Sequence, residues 1–229
     1  TFSAEIKRLA NSYLQNPVTI EVARSNATAS TVEQHFYSVG EDDKRHALHQ
    51  ILKSRGMKQA FVFVNSKLGC ARLARSLERE GLKTAALHGD KSQDERLKAL
   101  EAFKSGEVDL LVCTDVAARG LDIKDVPAVF NFDLPFNAED YVHRIGRTGR
   151  AGNSGKAISF VARNEENLLA DIEALIKRPL PTQWLVGFEP NFDDPADSAS
   201  HGRNQRKQRQ KAKAKAKSQA TYGIKKSRS

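Results

Sequence analysis

Ala60-Phe61-Val62-Phe63-Val64 is an unbroken apolar run. Such a run suits a strand buried on both faces of a sheet, the usual condition in parallel sheets. Downstream, Lys67 to Glu80 reads as a helix closed by Gly81, and Thr84-Ala85-Ala86-Leu87 as a strand ending at His88-Gly89-Asp90. Ser92 opens the next helix, Glu95 three residues on completes a capping box, and Gly106 ends it. Val108 to Cys113 is a second buried strand and Ala128 to Phe132 a third, followed by Asp133-Leu134-Pro135. A helix from Glu139 leads into an arginine-rich stretch, Lys156 to Val161 reads as a strand, and Asn164 can cap a last helix to Lys177.

Upstream, Asp42 to Arg55 is helical with Ala47, Leu48, Ile51 and Leu52 inward. Val32 to Val39 is strand-like, residues 23–30 form a small-residue loop, and Val18 to Val22 is a short strand. Residues 2–15 read as an amphipathic helix stopped at Asn16-Pro17. Strand and helix in alternation imply parallel strands joined by right-handed crossovers. In such sheets ligands gather at the carboxyl ends of strands. The polar words fall there: Asn65-Ser66-Lys67, His88-Gly89-Asp90, Thr114-Asp115 and Asp133.

The chain has 229 residues and a net charge of +9, unevenly placed. Residues 201–229 hold eleven Lys/Arg and no Asp or Glu: Arg203, Arg206, Lys207, Arg209, Lys211, Lys213, Lys215, Lys217, Lys225, Lys226 and Arg228. The other 200 residues carry 26 basic against 28 acidic side chains, a net −2. A basic tail on a near-neutral domain suggests a polyanion partner. Its like charges repel and little apolar area offsets ordering, so the composition predicts disorder from about residue 198. Residues 178–195 carry four of the seven prolines together with Trp184, Phe188 and Phe192, an extended segment that either packs on the domain or docks a partner. Cys70 and Cys113 lack metal-ligand spacing and read as small buried side chains of a cytoplasmic protein. No apolar run reaches the length of a membrane span.

His143-Arg144-Ile145-Gly146-Arg147-Thr148-Gly149-Arg150 concentrates three arginines and a histidine. On a helix, His143 and Arg147 stand four apart on one face, and Arg150 follows from the turn. Guanidinium forks suit phosphate oxygens. A basic helix end facing water is the plainer alternative, but glycines at 146, 149, 152 and 155 also allow close backbone approach. Thr114 to Asp122 follows a buried strand. Its threonine hydroxyl and N–H groups suit a phosphate, Arg119 a phosphate or carboxylate, and Asp122 a sugar hydroxyl; a capped turn with one surface ion pair is the alternative. Gln93 and Arg96 lie one helical turn apart beside Gly89, which is also how an ordinary helix start looks. A phosphate-cradling loop is absent: before Gly155-Lys156, position 150 is Arg, and position 157 is Ala.

These words together resemble the second RecA-like domain of a DEAD-box ATP-dependent RNA helicase of bacterial type. Phe61 to Asn65 resembles motif IV, Gln93 to Arg96 motif IVa, Val112 to Asp122 motif V, and Tyr141 to Arg150 motif VI. The resemblance implies a RecA-like three-layer α/β/α domain with a mostly parallel sheet, followed by the disordered basic tail. It divides the chain into 1–30, the end of a first RecA-like domain; 31–177, the second; 178–197, the Pro/aromatic extension; and 198–229, the tail. Thr1-Phe2-Ser3 resembles the end of motif III, so the P-loop and the Asp-Glu-Ala-Asp motif are expected in an N-terminal domain that precedes the chain.

By position, the resemblance implies catalytic roles for Arg147, Arg150 and His143, and ATP contacts from Asp122, Arg147 and Arg150. It implies RNA contacts from Gly89, Gln93, Arg96 and Thr114, and an interdomain contact from Arg119. ATP comes with Mg2+, the metal held by the N-terminal domain, and the partners are RNA and that domain, with no membrane. Residues 1–229 alone are then expected to be inactive. A non-catalytic RNA-binding or annealing module acting through the tail is the alternative.

Overall fold

The computed structural model describes residues 8, 32–121, 123, 125–149 and 155–188. Expectations for residues 2–7, 9–30, Asp122, Arg150 and the tail therefore lie outside the described residues. The described chain forms seven strands: β1 Val32–Ser38, β2 Ala60–Phe63, β3 Thr84–Leu87, β4 Leu110–Cys113, β5 Ala128–Asn131, β6 Gly155–Val161 and β7 Thr182–Trp184. They make one sheet in the order β3-β4-β2-β5-β6-β1-β7, every pairing parallel. The helices are α1 Lys44–Arg55, α2 Lys67–Arg79, α3 Gln93–Ser105, α4 Asp115–Ala118, α5 Ala138–Ile145 and α6 Glu166–Ile176.

All four residues of each of β2, β4 and β5 are buried, as a sheet covered on both sides requires. Period-two alternation then sorts the side chains. Ala60, Val62, Leu110, Val112, Phe130, Ile158 and Phe160 cluster with Leu48 and Ile51 of α1 and Leu73 and Leu77 of α2. Phe61, Phe63, Leu111, Cys113 and Val129 face the other way, against Phe103 of α3 and Ala117 of α4. On that second face α5 and α6 cover β1 and β6, through Tyr141, Ile145, Ile172 and Ile176 against Phe36, Ala157 and Val161. This is the three-layer α/β/α domain expected from the sequence.

Local chemistry fixes the helix ends. Ser92 Oγ accepts from the Glu95 N–H at 3.2 Å and Glu95 accepts from the Ser92 N–H at 2.8 Å, the expected capping box. That backbone donor, with Lys91 beside it, holds the Glu95 carboxyl down at about 2. Gly106 closes α3 at φ +78°, a conformation that favours glycine.

Two helix starts differ from expectation. Asp42 lies in a 3-10 turn, Glu41–Asp43, that precedes α1. Asn164 lies in another, Arg163–Glu165, and does not cap α6; the carboxylate of Glu165 turns back to accept from the Ala162 N–H at 2.9 Å. The Pro/aromatic segment enters the sheet as β7 beside β1, while Leu185 and Phe188 pack on the α1–α2 side. Trp184 stays 60% exposed. Both cysteines are free and buried, and burial pushes the Cys70 thiol up to about 11.

Candidate functional site

The chain leaves β2 toward β3 on one side of the sheet, and leaves β5 toward β6 on the other. Adjacent strands with diverging exits make a switch point, where open α/β sheets form a crevice at their carboxyl ends. Here one side chain fills it. Arg144 of α5 is 1% exposed and reaches under the ends of β2, β4 and β5. It grips the Asp115 carboxylate with Nε at 2.6 Å and Nη2 at 2.7 Å. Nη2 also donates to Asn65 Oδ1 at 2.9 Å, and Nη1 donates to the Asp133 carbonyl at 2.7 Å and to Asn131 Oδ1 at 3.3 Å. Its guanidinium lies 5.1 Å from the centre of the Phe63 ring.

A second buried charge stands behind the first. Asp133 Oδ2 accepts from the Asn65 N–H at 2.8 Å, while its Oδ1 lies 3.7 Å from Lys44 Nζ. With the crevice filled, ligand surface is confined to the rim above it, and the rim carries the words singled out in the sequence. Thr114 precedes α4; its N–H donates to the Leu87 carbonyl at 3.3 Å and its hydroxyl makes no capping hydrogen bond. Gln93 is exposed on the first turn of α3. Arg96, one turn later, donates to the Ala117 carbonyl at 3.3 Å, so the segments 89–96 and 114–119 touch. Beside Gly89 lies the end of the Lys67 side chain, which pairs with Asp90 at 2.6 Å and lowers the pKa of that carboxyl.

Arg119 and His143 both turn to Asp140. Arg119 donates at 3.1 Å, and His143 Nδ1 lies 3.5 Å away. Both are largely exposed, which joins the 114–119 segment to α5 along the surface. Because α5 ends at Ile145, Arg147 lies in the turn beyond it and not on a helical face with His143. Its Nη1 donates to the carbonyls of Leu121 and Ile123 at 2.8 and 3.4 Å, and its Nη2 to that of Ala118 at 2.9 Å. In this state Arg147 shapes the loop that leads to position 122. Among the described residues no group of three or more His, Cys, Asp or Glu side chains could hold a metal, so the described part of the domain does not fit a resident Mg2+ site.

Arg144, Asp115, Asn65 and Lys44 carry no role in the sequence reading. A signal for Arg144 exists, since it stands three residues after Tyr141 and beside Ile145 on a short helix whose apolar residues must face inward. Nothing in the sequence identifies the four groups that receive its donors.

A parallel α/β/α layer structure that presents arginine-bearing turns at its strand ends, without a phosphate-cradling loop, is one RecA-like half of a nucleic-acid motor. Comparison with known proteins identifies which kind. The helicase conserved C-terminal domain family matches residues 43–152. The ATP-dependent RNA helicase RhlB of Shewanella amazonensis is 42% identical over 211 residues, covering 90% of this chain and 48% of that protein. The probable ATP-dependent RNA helicase DDX23 of Homo sapiens is 42% identical over 79% of this chain and 22% of its own length. The chain thus spans about half, or less, of the curated relatives it matches. Among solved structures, the E. coli DEAD-box protein SrmB, bound to regulator of ribonuclease activity A, aligns with a TM-score of 0.65 at 36% identity, over 71% of this chain and 96% of that one. S. cerevisiae Dbp5 bound to RNA and ADP BeF3 aligns with a TM-score of 0.70 at 32% identity, over 80% of this chain and 49% of that one. The chain belongs to the DEAD-box helicase family, as its C-terminal RecA-like domain.

Proposed function

We propose that this domain is the C-terminal half of a cytoplasmic ATP-dependent RNA helicase that remodels short RNA duplexes. The observation that carries the reading is the gathering of segments 89–96, 114–119 and 140–147 on one rim of the sheet. The names of the RhlB relatives, and the RNA and ADP BeF3 bound to Dbp5, support the same ligands. RNA lies along Gly89, Gln93, Arg96 and Thr114, where backbone amides, a guanidinium and a hydroxyl meet phosphate and sugar. Contacts of that kind carry no base information, so binding tolerates sequence. Contacts to 2′-hydroxyls favour RNA over DNA. The arginines of the basic tail, Arg203, Arg206 and Arg209, and its lysines at 207, 211, 213, 215 and 217 add sequence-independent affinity.

An ATP-binding RecA-like domain of the same protein docks on this rim when ATP and RNA are bound, with Arg119 at the contact. Asp122 meets the ribose and Arg150 acts as the arginine finger, stabilising charge in the phosphoryl-transfer transition state. Arg147 reaches phosphate on releasing the carbonyls of Ala118, Leu121 and Ile123. His143, held near Asp140, links the nucleotide and RNA sides. The Mg2+ that accompanies ATP belongs to the other domain, and no step in this one requires it.

The test is RNA-stimulated ATP turnover, measured for the complete enzyme and for residues 1–229. The chain alone should hydrolyse no ATP, and Arg150→Ala in the complete enzyme should reduce kcat by roughly 10³-fold. RNA-stimulated turnover by residues 1–229 alone would overturn the division of labour. Unchanged turnover in the variant would mean the finger is another arginine.

A further inference from the structure

Arg144 is the arginine of the 143–150 stretch that touches no ligand surface. At 1% exposure, and with its Nε and both Nη groups donating to protein oxygens, it has no free edge to offer a phosphate. What it holds is informative. α4 is a single turn of four residues, too short to persist alone. Its first residue, Asp115, follows the RNA-facing Thr114, and its carboxylate is gripped at both oxygens by the Arg144 fork. At its other end Arg119 pairs with Asp140 of the same helix α5, but that pair is largely exposed and open to screening. The buried fork is therefore the attachment that lasts. On α5 it neighbours His143 in sequence and stands three residues before Arg147.

We propose that Arg144 is a positioning residue, whose fork on Asp115 holds the RNA-facing start of α4 and the phosphate-facing turn after α5 as one body. The inference rests on the helicase reading above and adds to it the link by which RNA at Thr114 sets the arginines for hydrolysis. Only a guanidinium serves, because four groups from three strand ends must be reached by one planar set of donors. Lysine keeps the charge, but a single nitrogen cannot bridge Asp115, Asn65 and the Asp133 carbonyl together.

The experiment compares wild type, Arg144→Lys, Asp115→Asn and the double variant in the complete enzyme, each checked by thermal melting to be folded at the assay temperature. Arg144→Lys should lower RNA-stimulated kcat by about tenfold or more, and raise the RNA concentration for half-maximal stimulation by about fivefold, with KM for ATP moving less than about threefold. The double variant should be no worse than the poorer single, since the two residues act as a unit. A residue that only stabilised the fold would lower the melting temperature and leave both parameters of the folded enzyme unchanged; that result, or additive effects in the double variant, overturns the proposal. Should Arg144→Lys not fold, Asp115→Asn carries the test with the same expected losses. Absence of RNA stimulation in the wild type would instead overturn the helicase reading itself.

Discussion

Lys44, at the start of α1, donates to Glu165 at 2.8 Å across 121 residues of sequence, with the lysine wholly buried. Glu41 lies 3.2 Å and Asp133 3.7 Å from the same ammonium. Glu165 is also the acceptor for the N–H of Leu134 at 3.0 Å and of Ala162 at 2.9 Å. One ion pair thus ties the start of α1 to the loops after β5 and β6, directly behind the Arg144 crevice. Burial works against the charge, but the three carboxylates win and hold the ammonium above its ordinary value.

Lys44→Met should therefore destabilise the domain by about 3–5 kcal/mol in urea denaturation, because it strands a buried carboxylate. Adding Glu165→Leu should not restore the loss, since two backbone N–H groups then lose their acceptor. The pH dependence has a defined sign. A lysine whose folded pKa is raised contributes fully below its ordinary value of 10.5, and that contribution is lost as pH climbs through the folded value. The alkaline limb of the stability curve should be shallower in Lys44→Met than in wild type. A loss below about 1 kcal/mol would show that the pair is incidental.

Gly155, the first residue of β6, has no room for a side chain. A methyl group there would stand 2.2 Å from the Gly149 nitrogen, 2.7 Å from its Cα and 2.3 Å from Thr148 Oγ1. Two of these are backbone atoms and Thr148 is itself buried, its hydroxyl donating to the Val126 carbonyl. No rotamer change relieves the clash. Gly155→Ala should cost about 3 kcal/mol or more, at the upper end of overpacking effects. Wild-type stability in this variant would mean the 148–149 turn yields freely.

Gly89 makes the opposite case. A methyl group there would meet only the end of the flexible Lys67 side chain, at 3.1 Å. Folding should hardly register Gly89→Ala, within about 0.5 kcal/mol. RNA affinity should nevertheless fall, by about tenfold, if phosphate approaches the backbone at this turn. Equal RNA affinity in the two proteins would move the RNA path away from Gly89.

These contrasts show what the sequence made legible. The apolar runs of β2, β4 and β5 announced a sheet covered on both faces, and Ser92 with Glu95 announced the start of α3, because burial and capping leave marks within a few residues. Asn164 looked like a helix cap, but a tertiary contact won: Lys44 and the loop N–H groups recruited Glu165 and shifted the start of α6. The Arg144 crevice was illegible for the same reason. Its acceptors come from Asn65, Asp115, Asn131 and Asp133, brought together only by the strand order. Arg147 shows the limit at the site itself, since a sequence motif cannot tell a guanidinium resting on carbonyls from one presented to a phosphate.

The charge distribution yields the last prediction. Eleven basic and no acidic side chains in residues 201–229 sit beside a remainder of net −2, so the tail should dominate encounter with single-stranded RNA. Each phosphate neutralised on a single strand contributes about −0.7 to the log–log salt slope, so the slope approaches roughly −8 if all eleven charges engage. A truncation at Ser200 should then lose most of its affinity and most of its salt dependence in fluorescence-anisotropy titrations from low to physiological salt. If the truncation binds nearly as well and with a similar slope, the rim at Gly89, Arg96 and Thr114 is by itself a competent RNA surface. The domain would then hold RNA before its ATP-binding partner closes on it, and the tail would have to serve some other polyanion.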